Sequence, residues 1–208
     1  MSTHEKQKVL ELAADVLTSQ PYQTLTLEKV AEAVDLPYQV LVDTYATMHS
    51  LGTAILTYEG STMRAAQQRA AETTAAPLER LQLAFRLVGR NLAHDSIARA
   101  GIRIAAEAAD CFPERKINPF RTWEKFVLRN LEEAQNLGHL RPDADINSVA
   151  WLFVAAGMGT KDLLGFTGEW ADAEERLSTI AAIAINSVRA RYDPSPTRVN
   201  NENGEQDE

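Results

Sequence analysis

Four histidines and one cysteine are the side chains of this 208-residue sequence best suited to proton transfer or nucleophilic attack. Their spacing supports neither. His94 and Asp95 are adjacent, so on a helix they point away from each other. His4, His49 and His139 lie in separate segments, and Cys111 has no histidine near it in the chain. No H-E-x-x-H, G-x-S-x-G, Gly-rich phosphate loop or paired-carboxylate pattern occurs. A lone cysteine offers neither a disulfide nor a ligand cluster for a structural metal, and reads as a small apolar residue near a helix end. Catalysis would need a pair assembled across helices, such as His94 with Glu107 beside a polar pocket. The sequence therefore predicts a protein that is not an enzyme and uses no metal or cofactor.

The chemistry it does offer is recognition of an apolar molecule. Trp123, Trp151 and Trp170 fall in one part of the chain, and each indole combines a large apolar face with one N–H donor. Trp123 is the candidate ligand contact, with plain core packing as the alternative. Gly157 and Gly159 interrupt a helical run at about 1 kcal/mol each, which predicts close backbone approach across a dimer seam or toward a ligand. Arg103, Glu107, Arg121, Gln135 and Thr160 are polar groups able to orient an oxygenated ligand.

The elements that must position these residues are all helical. Val9, Leu10, Leu12, Ala13, Val16 and Leu17 form a 3.6-period stripe over residues 5–19, ended by Pro21. Thr26 is the expected N-cap of a short helix from Leu27 to Ala33, and Pro37 opens a third running to about Tyr45. Helices this short are unstable alone, so Leu10, Ala13, Leu27, Val30, Ala31, Leu36 and Leu41 must share a small core. That is a three-helix unit of helix-turn-helix type over residues 5–48. A connecting helix follows over 49–76, Ala-rich and without a bulky stripe after Met63, which reads as a link rather than a core element. Residues 77–192 form a larger helical bundle. Its helices start at Pro77, at Asp95 or Ser96, at Pro119, at Asp143 or Asp145, and at Asp172, and Gly138 ends the Pro119 helix. The last two helices are apolar on nearly every side, and a second copy of the chain is the expected cover. Residues 193–208 read as a disordered acidic tail.

The fold class is thus all-α. The polar start and the interruption of apolar runs by charge, well short of a membrane span, predict a cytoplasmic protein with no membrane contact. Overall, 21 Lys and Arg stand against 29 Asp and Glu, a net charge of -8. A DNA binder of this charge needs a locally basic face.

The order of these pieces resembles the TetR family of bacterial one-component repressors across about residues 6 to 190. The head carries the match in VLELAADVL, PYQTLTLEKVAEAVDLP and VLVDTY. The larger module resembles the γ-butyrolactone autoregulator receptors of actinomycetes and their pseudo-receptor relatives, through ARAGIRIAAE at 98–107, the Pro119 to Trp123 step and EEAQNLGHLRPDADINSVAWLFVAAGMG at 132–159. The resemblance implies a homodimeric repressor whose third helices enter successive major grooves and which a small, mostly apolar ligand releases from DNA. It places Trp123 at the tryptophan lining the butyrolactone pocket, and makes Phe85, Val88, Val127, Phe153, Val154 and Met158 the candidate walls.

The head departs from the pattern where it would touch DNA. Asp35 stands where relatives have a small residue, often Gly, and the third helix, PYQVLVDTY, has no basic residue. Residues 1–60 hold three Lys, no Arg and eight Asp or Glu, a net charge of -5. Phosphate contacts supply much of a protein's DNA affinity, so this charge opposes docking. Gln39 and Thr44 remain able to reach base edges, and Thr26 and Tyr38 to donate to phosphates. Two expectations stand side by side: a regulator that binds DNA weakly or in concert with a heteromeric partner, and a protein that has lost DNA binding and acts as a ligand carrier, a partner-binding protein or even an enzyme on the same scaffold.

Overall fold

A computed structural model describes residues 3–116 and 118–190, so the expected tail lies outside the described residues. The order is α1 (Thr3–Ser19), α2 (Leu27–Ala33), α3 (Tyr38–Tyr45), α4 (Met48–Thr73), α5 (Pro77–His94), α6 (Ser96–Glu107), α7 (Pro119–Asn136), α8 (Ile146–Thr167) and α9 (Ala173–Val188). Short 3₁₀ turns join some of them, and among the described residues the sole β pairing is one bridge between Leu140 and Arg189.

Helix starts follow side-chain chemistry. Thr26 accepts from the Lys29 N–H, Thr47 from Ser50, and Asp145 from Asn147 and Ser148. Asp95 accepts from Ile97 and Ala98, satisfying two otherwise orphaned donors of α6. Two helix ends share one geometry. After α7, Gly138 has φ 73°, and the N–H groups of Gly138 and His139 bond Gln135 and Ala134. After α2, Asp35 takes the same role at φ 52°, with its own N–H on Glu32 and that of Leu36 on Ala31. Both are Schellman closures, and the left-handed residue there is ordinarily glycine. Pro37 caps α3 from outside rather than opening it.

The chain packs around two apolar cores. One joins α1, α2 and α3 through Leu10, Ala13, Leu27, Val30, Ala31 and Leu41, with Leu36 partly buried against it. It is larger than the three-helix miniature expected from sequence. Leu51, Ile55 and Leu56 of α4 enter it, as do Ile97, Ala100 and Ile104 of α6 and the fully buried Phe112. Three short helices cannot enclose an apolar interior alone, and α6 supplies the missing wall. Polar ties fix α6 there: the Arg103 guanidinium donates to Thr18 O at 2.8 Å and pairs with Glu107.

The expectation that residues 49–76 merely link two modules is therefore corrected. The first half of α4 is head core, and its second half buries Met63, Ala66 and Ala70. Small residues suffice because the neighbouring helices come close.

The second core is formed by α5, α7, α8 and α9 with the end of α4. α5 and α9 come so close that a methyl group on Gly89 would lie 2.4 Å from Ala173 O. Arg80 of α5 reaches Asn130 at 2.9 Å and Glu133 at 2.8 Å, pinning α7. One further expectation changes. α8 carries only Lys161 and Asp162 as charged residues in its 22 and is long and apolar enough to cross a membrane by length and composition. In the fold it packs between α7 and α9 and leaves Trp151, Leu152, Leu163 and Phe166 exposed.

Candidate functional site

Six helices converge on one apolar cavity of about 150 Å³, open on one side. α4 contributes Glu59 and Met63; α5, Phe85, Val88 and Leu92; α6, Ile102, Ala105 and Ala106. α7 adds Phe120 and Trp123, α8 runs along the wall from Phe153 to Asp162, and α9 closes it with Leu177. Edge-to-face rings build the aromatic side: Phe85 meets Trp123 at 5.6 Å and Phe153 at 5.2 Å between centroids. Trp123 also meets Phe126 at 5.7 Å, which fixes its indole from behind.

Of the seven residues assigned to the pocket from sequence, the structure brings Phe85, Val88, Trp123, Phe153, Val154 and Met158 together around this cavity. Val127 is not among the lining residues. It is fully buried in the core with Leu131 and Ala134, one helical turn beyond Trp123 on the same stripe of α7 and so past the cavity. The other tryptophans lie elsewhere. Trp151 is exposed on α8, and Trp170 packs beneath the Arg99 guanidinium at 5.8 Å. Gly157 lines the cavity beside Phe85, whereas Gly159 has open space around its Cα and so makes no close approach within the chain.

The polar end differs from expectation. None of Arg103, Glu107, Arg121, Gln135 and Thr160 lines the cavity. Arg103 and Glu107 pair with each other, and the Thr160 hydroxyl donates to Ala156 O at 2.8 Å. The cavity's polar groups are Glu59, Lys161 and Asp162. Lys161 and Asp162 meet at 3.0 Å. Burial pushes the Glu59 carboxyl up to about 7, against the opposing pull of Arg64, Arg115 and Lys161. A signal for Glu59 exists in the sequence. Ile55, Leu56, Glu59, Met63, Ala66 and Ala70 recur at three- and four-residue spacing, so an acid occupies a position on the buried stripe of α4.

Among the described residues, no group of three or more His, Cys, Asp or Glu side chains is arranged to hold a metal ion. His94 is exposed at the end of α5 and Glu107 is engaged by Arg103, so no hydrogen bond joins that pair.

In the head, the four residues able to face DNA are engaged by the module's own atoms. Thr26 caps α2. The Tyr38 hydroxyl bonds the Glu28 carboxylate, which raises the phenol's pKa. Backbone hydrogen bonding first, then Thr26 and Tyr38, hold Glu28 below the usual carboxylate range. Gln39 donates to Asp43 at 2.7 Å, and the Thr44 hydroxyl donates to Val40 O.

A sequence profile for the tetracyclin repressor-like C-terminal domain matches residues 73–188. No curated protein matches the chain by sequence. Among solved structures, one described under the molecular basis for control of antibiotic production by bacterial hormones superposes with a TM-score of 0.70 at 22% identity, covering 91% of this chain and 100% of its own. CprB from S. coelicolor A3(2), described as a TetR family protein, gives 0.74 at 21% identity, covering 90% and 89%. A γ-butyrolactone receptor described as ArpA-like gives 0.67 at 20% identity, covering 88% and 98%. At these identities the likeness is one of fold.

Proposed function

This chain belongs to the tetracyclin repressor-like (TetR) family, and from that membership we propose that it is a homodimeric transcriptional regulator, a repressor, that senses a small, mostly apolar molecule of the γ-butyrolactone type. Control of secondary metabolism fits the relative described under control of antibiotic production. The observation that carries the reading is the cavity: apolar on nearly all sides, walled by Phe85, Trp123 and Phe153, and polar at one end through Glu59. Such a lining suits an amphipathic small molecule with one oxygenated group. Coupling has a physical route, because α4 and α6 line the cavity and also enter the head core. A ligand that favours one of two arrangements of these helices shifts the head with them.

Self-association follows from the exposed side of α8 and α9. Trp151 is 67% exposed, Leu163 66%, Phe166 90% and Ile183 65%, an apolar patch that water covers poorly. A second copy covers the same patch on both chains at once, as an isologous dimer requires.

A second reading has its own observation. The head is acidic, its third helix carries no Lys or Arg, and Tyr38 and Gln39 are held by Glu28 and Asp43. On that reading the DNA function is lost, or is exercised with a heteromeric partner, and the body acts as a ligand carrier or partner-binding protein. Selection from a random duplex pool, followed by gel shift at low and at moderate salt, separates the two. An enriched sequence retained at moderate salt supports autonomous regulation, and retention of nothing at low salt supports the second reading.

A further inference from the structure

Within the cavity, Lys161 already holds Asp162 at 3.0 Å, whereas Glu59 has no hydrogen-bond or ion-pair partner among the described residues. Its position is tightly defined. α6 meets it at Gly101, where a methyl group would lie 2.3 Å from Glu59 Cβ and 2.7 Å from Cγ. Any larger residue there would drive the Glu59 side chain from its place. We propose that Glu59 is the polar anchor of this cavity, and that its carboxylic acid form donates a hydrogen bond to the carbonyl oxygen of a neutral, otherwise apolar ligand such as a lactone or ester. The inference rests on the reading of the cavity as a ligand site.

The surroundings favour a neutral acceptor over an amine. The charges nearest Glu59 are Arg64 on its own helix, Arg115 on the 3₁₀ turn Pro113–Arg115, and Lys161 on α8. The Arg115 guanidinium donates to Thr57 Oγ1 at 3.0 Å, and Lys161 is paired with Asp162. From α6 the cavity receives Ile102, Ala105 and Ala106, none of which titrates, and from α4 the other lining residue is Met63. A ligand ammonium would therefore enter beside a Lys161 already paired with Asp162, with the Arg64 and Arg115 charges also near Glu59. Even with those cations present, burial keeps the carboxyl about half protonated near neutral pH. A carbonyl oxygen satisfies the acid O–H without introducing charge into the apolar wall. Because the donor is the protonated form, affinity is highest below the carboxyl's pKa and falls as pH rises through it.

Calorimetric titration of the full chain with γ-octalactone and with octylamine, at about pH 6 and about pH 8.5, tests this. The lactone is expected to bind at least about tenfold more tightly at the lower pH. Glu59→Gln, whose amide still donates, should bind the lactone within about threefold of wild type at the lower pH and lose the pH dependence. Glu59→Ala should bind about tenfold more weakly there. Lactone affinity independent of pH in the wild type, equal loss in the Gln and Ala variants, or preference for octylamine at both pH values would overturn the assignment. Should neither probe bind the wild type, the cavity reading itself falls. Should Trp123→Ala abolish lactone binding while Glu59→Ala leaves it unchanged, the cavity reading stands and the role of Glu59 falls.

Discussion

Glu59 and Asp35 are acids placed where the fold disfavours them, for different reasons. Glu59 is disfavoured by burial: its folded pKa of about 7 lies above the ordinary 4.5, so the native state holds the proton more tightly than the unfolded chain. Stability from this group is present at low pH and is lost as pH rises between these two values, staying lost above. Glu59→Gln should therefore stabilise the ligand-free protein at about pH 8 by roughly 1–3 kcal/mol more than at about pH 4, read from urea midpoints at both. Asp35 is disfavoured by backbone conformation, since φ 52° crowds any Cβ. Relief of about 1–2 kcal/mol on removing the Cβ, less about 0.5–1 kcal/mol of extra glycine entropy, predicts that Asp35→Gly raises stability by about 0.5–1 kcal/mol in urea unfolding. Sequence reading marked Asp35 as standing where relatives have a small residue, often Gly. It missed Glu59, because an acid interrupts the α4 stripe there and beyond Met63 the stripe continues only through the small Ala66 and Ala70.

At the scale of elements, the most extensive helix packing lies between α5 and α9, and it depends on Gly89. A methyl group there would stand 2.6 Å from Glu174 Cα as well as 2.4 Å from Ala173 O, both backbone atoms that cannot swing away. Gly89→Ala should force the helices apart and cost about 1–3 kcal/mol, seen as a lower urea midpoint with an unchanged slope. Helix starts were legible in the sequence at Thr26 and, as one of two candidates each, at Asp95 and Asp145, because that chemistry is local, whereas the caps at Thr47 and Asn118 were not read. Helix partners were not. Nothing local to Ile97, Ala100 and Ile104 reveals that they complete the head, and nothing local to Val127 reveals that the cavity ends one turn before it. Six wall residues came together because apolar positions on α5, α7 and α8 face a common centre. The wall from α4 escaped notice because that helix was read as a link, and α6 was expected to offer Arg103 and Glu107 rather than Ile102, Ala105 and Ala106.

For the whole molecule, surface apolarity and charge set the expected behaviour. The exposed patch on α8 and α9 predicts a dimer at micromolar concentration. Phe166→Glu, at the most exposed of these residues, should shift sedimentation velocity profiles toward the monomer while leaving helical content unchanged. A wild type that already sediments as a monomer would contradict the dimer. The net charge of -8, with -5 in the first 60 residues, makes any DNA complex of this chain sensitive to salt from the outset. The cavity carries the account of function, and Trp123 is one of the aromatic residues that line it. The most direct test is calorimetric titration of wild type and Trp123→Ala with a hydroxyalkyl γ-butyrolactone. Saturable binding by the wild type, weakened about tenfold or more in the variant, is the expected result, since removing the indole forfeits several kcal/mol of apolar contact at most and about 1.4 kcal/mol is already tenfold. Equal affinity in the two proteins would contradict it.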